Sequence, residues 1–105
     1  MRVRAVVLYC LALLAALVPG AVSAQDTIKI AYIEGLSGPF ANVGEIGLRH
    51  YQIAIEAVNA RGGVLGGTKL EVVPFDSKTN PQEALLVLRQ AIDQGIRYIA
   101  QGNGS

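Results

Sequence analysis

The chain of 105 residues has one cysteine, Cys10, one histidine, His50, and no tryptophan. Cys10 lies in an amino-terminal segment that we expect to be removed, so the mature chain is predicted to have no disulfide and to depend on a hydrophobic core. Cys10 also lacks the small preceding residues of a lipoprotein cleavage site, which argues against a lipid anchor. A single histidine without cysteine excludes the usual zinc sets and places no base near the glycine-rich loops for a catalytic triad.

The mature chain also lacks an excess of either charge. Once Arg2 and Arg4 of the amino-terminal segment are set aside, seven Lys or Arg residues stand against eight Asp or Glu. Nucleic acids and anionic membrane surfaces attract basic patches. The charge balance therefore gives no indication of either partner.

Residues 1–24 have the pattern of a secretory leader. Two arginines precede a continuous apolar run at residues 5–18, and small residues follow, with Val22 and Ala24 at the positions that a signal peptidase reads. We expect cleavage after Ala24. The alternative is a retained anchor, but the run is shorter than the roughly 20 apolar residues that span a bilayer.

The remaining residues, 25–105, alternate between strand and helix patterns. Strands are predicted at residues 27–33, 69–75 and 97–100, and helices at residues 43–61 and 81–94. The connections are long enough for helical crossovers, so the order predicts a parallel sheet with right-handed crossovers. The third strand would then present an unpaired edge, which predicts that these residues are the amino-terminal piece of a larger protein.

Local signals place the ends and faces of these elements. Asn42 and Glu45 have the spacing of a capping box at the first helix, and Asn80 is the predicted cap of the second. Pro74 lacks a backbone donor and predicts an edge position for the second strand. The first helix is predicted to pack through an apolar face of Ile46, Ile53, Ala54, Ala57 and Val58, with Gly47 and Ala54 small enough for close approach to the sheet, and to end at Gly62 and Gly63. The second helix is predicted to begin at Pro81, to pack through Ala84, Leu88, Ala91 and Ile92, and to end at Gly95.

Two polar loops leave the predicted first and third strands. If the strand order is 2-1-3, these strands are neighbours, and their carboxyl ends form the crevice where open α/β sheets bind ligands. The loops contribute Ser37, Gly38, Asn103, Gly104 and Ser105, whose hydroxyls and unobstructed backbone N–H groups suit a small anion such as a carboxylate. Two alternatives remain: Ser37 only shapes a turn with Gly38 and its neighbouring proline, or the second loop is a nucleotide-binding turn, for which the third glycine is missing.

Four segments together resemble one family. They are the run IKIAYIEGLSGPFANVG at residues 28–44, IEAVNARGG at residues 55–63, the strand at residues 70–76 with its final Asp76, and NPQEA at residues 80–84. This combination resembles the start of the periplasmic branched-chain (leucine/isoleucine/valine) amino-acid binding proteins, the substrate-binding components of ABC importers. The resemblance implies an α/β type I periplasmic binding protein fold, of which these residues form the first β-α-β-α-β of one lobe.

The resemblance also implies a function and a set of contacts. It implies a periplasmic receptor, monomeric at full length, that needs no cofactor, catalyses no reaction and passes an amino acid or similar carboxylate to an inner-membrane permease. In the family, the turn that aligns with Asn103, Gly104 and Ser105 holds the ligand carboxylate, and the position of Val43 often carries an aromatic side chain against the ligand. Valine and asparagine here depart from that pattern and leave the identity of the ligand open, and Val43 is equally suited to helix packing. The alternatives are a sensory domain of the same fold and an exported α/β enzyme.

Overall fold

The computed structural model describes residues 27–102. The predicted leader, 1–24, and Asn103, Gly104 and Ser105 lie outside these residues. The elements are strands β1 (Ile28–Glu34), β2 (Leu70–Asp76) and β3 (Tyr98–Gln101), helices α1 (Ala41–Ala60) and α2 (Pro81–Asp93), and a 3₁₀ turn (Gly38–Phe40). The predicted alternation is confirmed, and each strand lies one residue further along the chain than predicted. Neither helix combines the length and the hydropathy that a membrane crossing requires.

The three strands form a parallel sheet in the order β2-β1-β3, as predicted. The register pairs Ile28 with Leu70 and Ile33 with Gln101, so the strands end at the same edge. β1 is central because its second half is apolar up to Ile33 and is buried from Ala31 onward.

The two helices pack on opposite faces of this sheet. Tyr32 contacts α1, its ring centroid lying 5.2 Å from that of Tyr51. The neighbouring residue, Ala31, belongs to a core cluster with Ala91 of α2 and Ile96. Because successive residues of a strand point to opposite faces, α1 and α2 cover different sides. The connections leaving β1 and β2 therefore diverge to opposite faces, which makes the carboxyl edge between β1 and β3 the switch point of this sheet.

Pro74 lies in an edge strand, as predicted. It is paired in register with Tyr32, and within residues 27–102 β2 has β1 as its neighbour on one side only. Proline is tolerated at such a position because its missing N–H falls on the unpaired side.

The start of α1 differs from the prediction. The helix begins at Ala41 without a side-chain cap, so Asn42 and Glu45 lie inside its first turns and do not form a capping box. The preceding 3₁₀ turn runs directly into the helix through the Ala41 N–H, which donates to the Gly38 carbonyl. The Gly38 carbonyl thus accepts from one of the N–H groups at the helix start, a role that a capping side chain would otherwise fill. The predicted end is confirmed, since Gly62 and Gly63 adopt φ values of 104° and 82°.

The predicted apolar face of α1 is wrong at most positions. Ile46 and Ile53 are 58% and 56% exposed, and Ala54 and Ala57 are exposed as well, while Val58 is half-buried. The helix instead turns Gly44 and Ile55 toward the sheet. The close approach predicted at Gly47 is confirmed, because a Cβ there would meet the Tyr32 hydroxyl, but Ala54 takes no part in it.

The features of α2 were predicted more accurately. The Asn80 Oδ1 accepts from the N–H groups of Gln82 at 2.9 Å and Glu83 at 3.1 Å, and Pro81 takes the first helical position. Other predicted residues behave as follows: Ala91 is buried, Ala84 and Leu88 are half-buried, Gly95 ends the helix with φ 80°, and Ile92 is 58% exposed rather than packed.

Candidate functional site

The loops after β1 and β3 leave the sheet side by side. β1 ends at Glu34, and the residue that follows β3 is Gly102. The Gly102 N–H donates to the Glu34 Oε2 at 2.7 Å. The loop that contains Ser37 and the segment that follows β3 therefore start at the same edge of the sheet, which is the geometry that the strand order predicted.

Asp76, at the end of β2, shapes the loop after β1. Its Oδ1 accepts from the N–H groups of Leu36 at 2.9 Å and Lys78 at 2.8 Å. Burial on its own raises the pKa of the Asp76 carboxyl, but the nearby Ser37 hydroxyl, the hydrogen bonds from these two N–H groups and the Lys78 charge outweigh it and lower the pKa below 3.8. The bonds from Leu36 and Lys78 fix the path of the loop on either side of Asp76.

We expect Asp76→Asn to lower the stability of the full-length protein by about 1 kcal/mol at pH 7, because charge-assisted hydrogen bonds are lost at a partly exposed site. A lowered folded-state pKa contributes stability that is present above the unfolded value of 3.8 and is lost as the pH falls through the folded value. The difference from wild type should therefore shrink between pH 5 and pH 3.

Urea denaturation between pH 3 and pH 7 measures this difference. Glu71→Gln is the matched control, because Glu71 is an exposed carboxylate on the same strand. A deficit of Asp76→Asn that stayed constant across this range would contradict the assigned role of the charge.

Tyr32 connects β1 to the start of α1. Its side chain is fully buried, and its hydroxyl donates to the Gly44 carbonyl at 3.2 Å. Burial raises the pKa of the Tyr32 phenol above its usual value of 10.0, and the nearby Glu34 and Tyr51 raise it further. Tyr32 is therefore a neutral donor at physiological pH that holds the amino-terminal end of α1 against the sheet.

Glycines permit the closest contacts at this edge. A Cβ at Gly44 would meet the Gly35 carbonyl oxygen, and a Cβ at Gly102 would lie 2.6 Å from the Glu34 Oε2 and 2.8 Å from the Tyr32 hydroxyl. Real Cβ atoms do not approach backbone or buried polar atoms so closely. Helix α1, the loop after β1 and Gly102 after β3 thus converge on the polar ends of two β1 side chains, Glu34 and Tyr32.

The five predicted site residues divide into two groups. Ser37 is exposed in the loop, and Val43 is 48% exposed in the first turn of α1. Asn103, Gly104 and Ser105 lie outside the described residues, so their contacts stay a prediction. The sequence reasoning missed Glu34 and Tyr32, although an acidic residue that ends a buried apolar strand was an available signal.

A groove of about 600 Å³ lies on the α2 face of the sheet. Ile33 of β1 and Ile99 of β3 form its floor, and Leu85 and Leu88 of α2 form one wall. Its lining also includes four polar residues at the carboxyl ends of the strands and the start of α2: Ser77, Thr79, Asn80 and Gln101.

Sequence comparisons give one family. The model described as "periplasmic binding protein" matches residues 27–105. The Leu/Ile/Val-binding protein of Escherichia coli K12 is 35% identical over 74 residues, which are 70% of this chain and 20% of that protein. A leucine-, isoleucine-, valine-, threonine- and alanine-binding protein of Pseudomonas aeruginosa is 36% identical over 76 residues, 72% of this chain and 20% of that protein.

Solved structures agree with the sequence matches. A type 1 periplasmic binding protein from Bordetella pertussis Tohama I superposes with a TM-score of 0.65 at 36% identity, over 72% of this chain and 21% of that one. A fatty acid ABC transporter substrate-binding protein from Thermomonospora curvata gives 0.61 at 30% identity, over 76% and 19%. The chain therefore spans about a fifth of the length of the curated relatives it matches.

Proposed function

Since the chain belongs to the periplasmic binding protein family, we propose that the full-length protein is a periplasmic solute receptor of an ABC importer, exported by a leader cut after Ala24. Its ligand is a branched-chain amino acid or a similar small carboxylate. Residues 25–105 are the first part of one lobe. A second lobe closes over the ligand, and the closed form docks on an inner-membrane permease.

One observation supports this proposal above the others: the loop of Ser37 and the segment that starts at Gly102 leave neighbouring parallel strands at one edge, where the Gly102 N–H and the Glu34 carboxylate lie 2.7 Å apart. Ligands of open α/β sheets bind at such a switch point. The polar groups at this edge are of the kind that fix the orientation of a small ligand in its site.

The acid group of the ligand is assigned to this edge. The turn at Asn103, Gly104 and Ser105 offers a hydroxyl and backbone N–H groups, and α1 begins close by at Ala41 with the positive end of its dipole. The Ser37 hydroxyl lies near the Asp76 carboxylate, which competes for its proton, so we assign Ser37 a contact through its lone pairs or its backbone. Val43, half exposed beside this edge, is proposed as an apolar wall of the pocket.

The ligand class rests on the relatives. The names of the relatives include leucine, isoleucine, valine, threonine and alanine, and one related structure is that of a fatty acid ABC transporter substrate-binding protein. These solutes share a carboxylate and differ in the rest of the molecule. The part of the site that holds the carboxylate is accordingly assigned to this lobe, and the part that selects the rest is assigned to the second lobe.

Calorimetric titration of the full-length mature protein tests the proposal. The panel is L-leucine, L-threonine, L-leucinamide, benzoate and octanoate. Saturable binding of a carboxylate in the micromolar range or tighter, with the solute recovered unchanged, supports a receptor. Conversion of a panel member to a product, or binding of none of them, would count against it.

Ser105→Ala gives the sharper prediction. If the Ser105 hydroxyl donates to the carboxylate, its loss should weaken binding of the tightest-binding panel acid by about tenfold, because hydrogen bonds to charged groups contribute on the order of 1.5–3 kcal/mol. Ser37→Ala is the matched control and should weaken binding less, since the nearby Asp76 carboxylate competes for the proton of that hydroxyl. The same calorimetric titration measures both, and equal affinities of Ser105→Ala and wild type would remove Ser105 from the site.

A further inference from the structure

Glu34 is a buried acid that the proposed binding mode does not use. Its side chain is only 2% exposed, although it ends a strand at the centre of the described sheet. A buried carboxylate carries a large desolvation cost and is retained where hydrogen bonds compensate for it. The placement of Glu34 therefore calls for a function.

The Glu34 carboxylate contacts backbone N–H groups that follow both β1 and β3. Oε2 accepts from the Gly102 N–H at 2.7 Å, and Oε1 accepts from the Gly35 N–H at a longer 3.3 Å. Gly35 is the first residue after β1, and Gly102 is the first residue after β3. One side chain thus ties together the two residues that follow these neighbouring strands.

The bond to Gly102 is the stronger of the two. At 2.7 Å it lies at the short end of the range for N–H···O bonds, whereas the bond from Gly35 is 3.3 Å long. It also joins residues 68 positions apart in the sequence, so no local backbone preference would replace it. Gly102 directly precedes Asn103, the first residue of the turn assigned to the ligand.

Steric contacts confine Gly102 as tightly as the hydrogen bond does. A Cβ at Gly102 would lie 2.6 Å from the Glu34 Oε2 and 2.8 Å from the Tyr32 hydroxyl. The Tyr32 hydroxyl is itself held by its bond to Gly44. Two β1 side chains, Glu34 and Tyr32, thereby form a rigid floor on which the backbone of Gly102 rests.

We propose that Glu34 is a positioning residue for ligand binding: its carboxylate fixes the backbone of Gly102, so that the carboxyl ends of β1 and β3 are held at the spacing that the proposed solute site requires. This inference rests on the proposed function for the ligand and on the observed contacts for Gly102. Glu34 itself touches no ligand. It acts through the backbone of Gly102, and preorganised donors bind more tightly than mobile ones because less ordering is needed on binding.

The test compares Glu34→Ala and Glu34→Gln in the full-length protein. Alanine leaves the Gly102 N–H without an acceptor, whereas glutamine keeps one carbonyl oxygen for it. We expect Glu34→Ala to weaken binding of the tightest-binding panel acid by about tenfold to a hundredfold, the effect of an unpaired backbone group and a loosened Gly102 backbone. Glu34→Gln should recover most of that loss.

A second readout needs no ligand. Hydrogen exchange at the Gly102 amide in the unliganded protein should accelerate by roughly tenfold or more in Glu34→Ala, since protection reports local opening. Exchange in the middle of α1 should stay unchanged. Gly102→Ala is a second variant that keeps the acid but displaces the backbone at this position, and it should also weaken binding if Glu34→Ala fails to fold.

Ile55→Ala is the control for general destabilisation. Ile55 is buried on α1 about 20 Å along the helix from its start at this edge. It should lower stability without changing affinity or exchange at Gly102. Unchanged exchange at Gly102 in Glu34→Ala overturns the proposal, and so does unchanged affinity when exchange is faster. Failure of the wild-type protein to bind any panel member overturns the receptor function instead, and the exchange result alone then decides whether Glu34 holds Gly102.

Discussion

Gly44→Ala is expected to destabilise the full-length protein by about 3 kcal/mol, a large value for the addition of one methyl group. The new Cβ would meet the Gly35 carbonyl oxygen and lie 3.2 Å from Leu36 Cδ2. The Gly35 oxygen belongs to backbone at the end of a central strand and cannot rotate away. Helix α1 must therefore move off the sheet, which also stretches the bond from the Tyr32 hydroxyl to the Gly44 carbonyl.

The predicted loss of stability is opposite in sign to the usual effect of Gly to Ala in a helix, which makes the test decisive. Gly to Ala inside a helix that meets no obstacle stabilises it by up to about 1 kcal/mol. Gly47→Ala is the graded comparison, because its Cβ would meet the Tyr32 hydroxyl, a side-chain end that is able to shift more than backbone does. Urea denaturation should rank wild type above Gly47→Ala and Gly47→Ala above Gly44→Ala. A Gly44→Ala protein as stable as wild type would show that the close approach of α1 does not hold.

A piece consisting of residues 25–105 is expected not to melt cooperatively and not to bind any of the panel acids. Its buried apolar residues within 27–102 are few: Ala31, Tyr32, Ile33, Ile55, Ala91 and Ile96. The groove of about 600 Å³ on the α2 face remains open, and Tyr98 and Ile99 of β3 are 59% and 43% exposed. This burial is too small to offset the conformational entropy of a chain of this length.

Calorimetry and hydrogen exchange of the isolated piece measure this expectation. The full-length protein under the same conditions is the control and should show a cooperative transition that a binding panel acid shifts upward. A sharp melt of the piece, with exchange protection across β1 and β3, would contradict the prediction. It would mean that the first part of the lobe folds on its own.

The topology was predictable because it follows from connection length and strand composition. Crossovers of helical length leave little choice but a parallel sheet, and the apolar half of β1 requires a strand on each side. The start of α2 was equally predictable, because the Asn80 side chain accepts hydrogen bonds from backbone N–H groups of the first helical turn. These signals are local, or they depend on general rules of chain geometry.

The packing face of α1 and the contacts of Glu34 and Tyr32 with Gly102 were not predictable in the same way. The approach at Gly47 was predicted from its small size, but hydrophobic periodicity weights isoleucines, and it gave no sign that the helix also approaches the sheet at Gly44 and leaves Ile46 exposed. The bond between Glu34 and Gly102 spans 68 positions, and nothing local in the sequence indicates such a partner. Close backbone approach and long-range polar pairing depend on three-dimensional placement, which composition does not encode.

Pro74 makes the two edges of the described sheet unequal as sites for pairing with a further strand. A strand from another molecule that approached the outer side of β2 would find no N–H at Pro74 and would lose a rung of the ladder. The outer side of β3 has no proline within Tyr98–Gln101 and offers its backbone groups for pairing. An additional strand, whether from the same polypeptide or from a misassociated copy, therefore pairs more favourably with the outer edge of β3 than with that of β2.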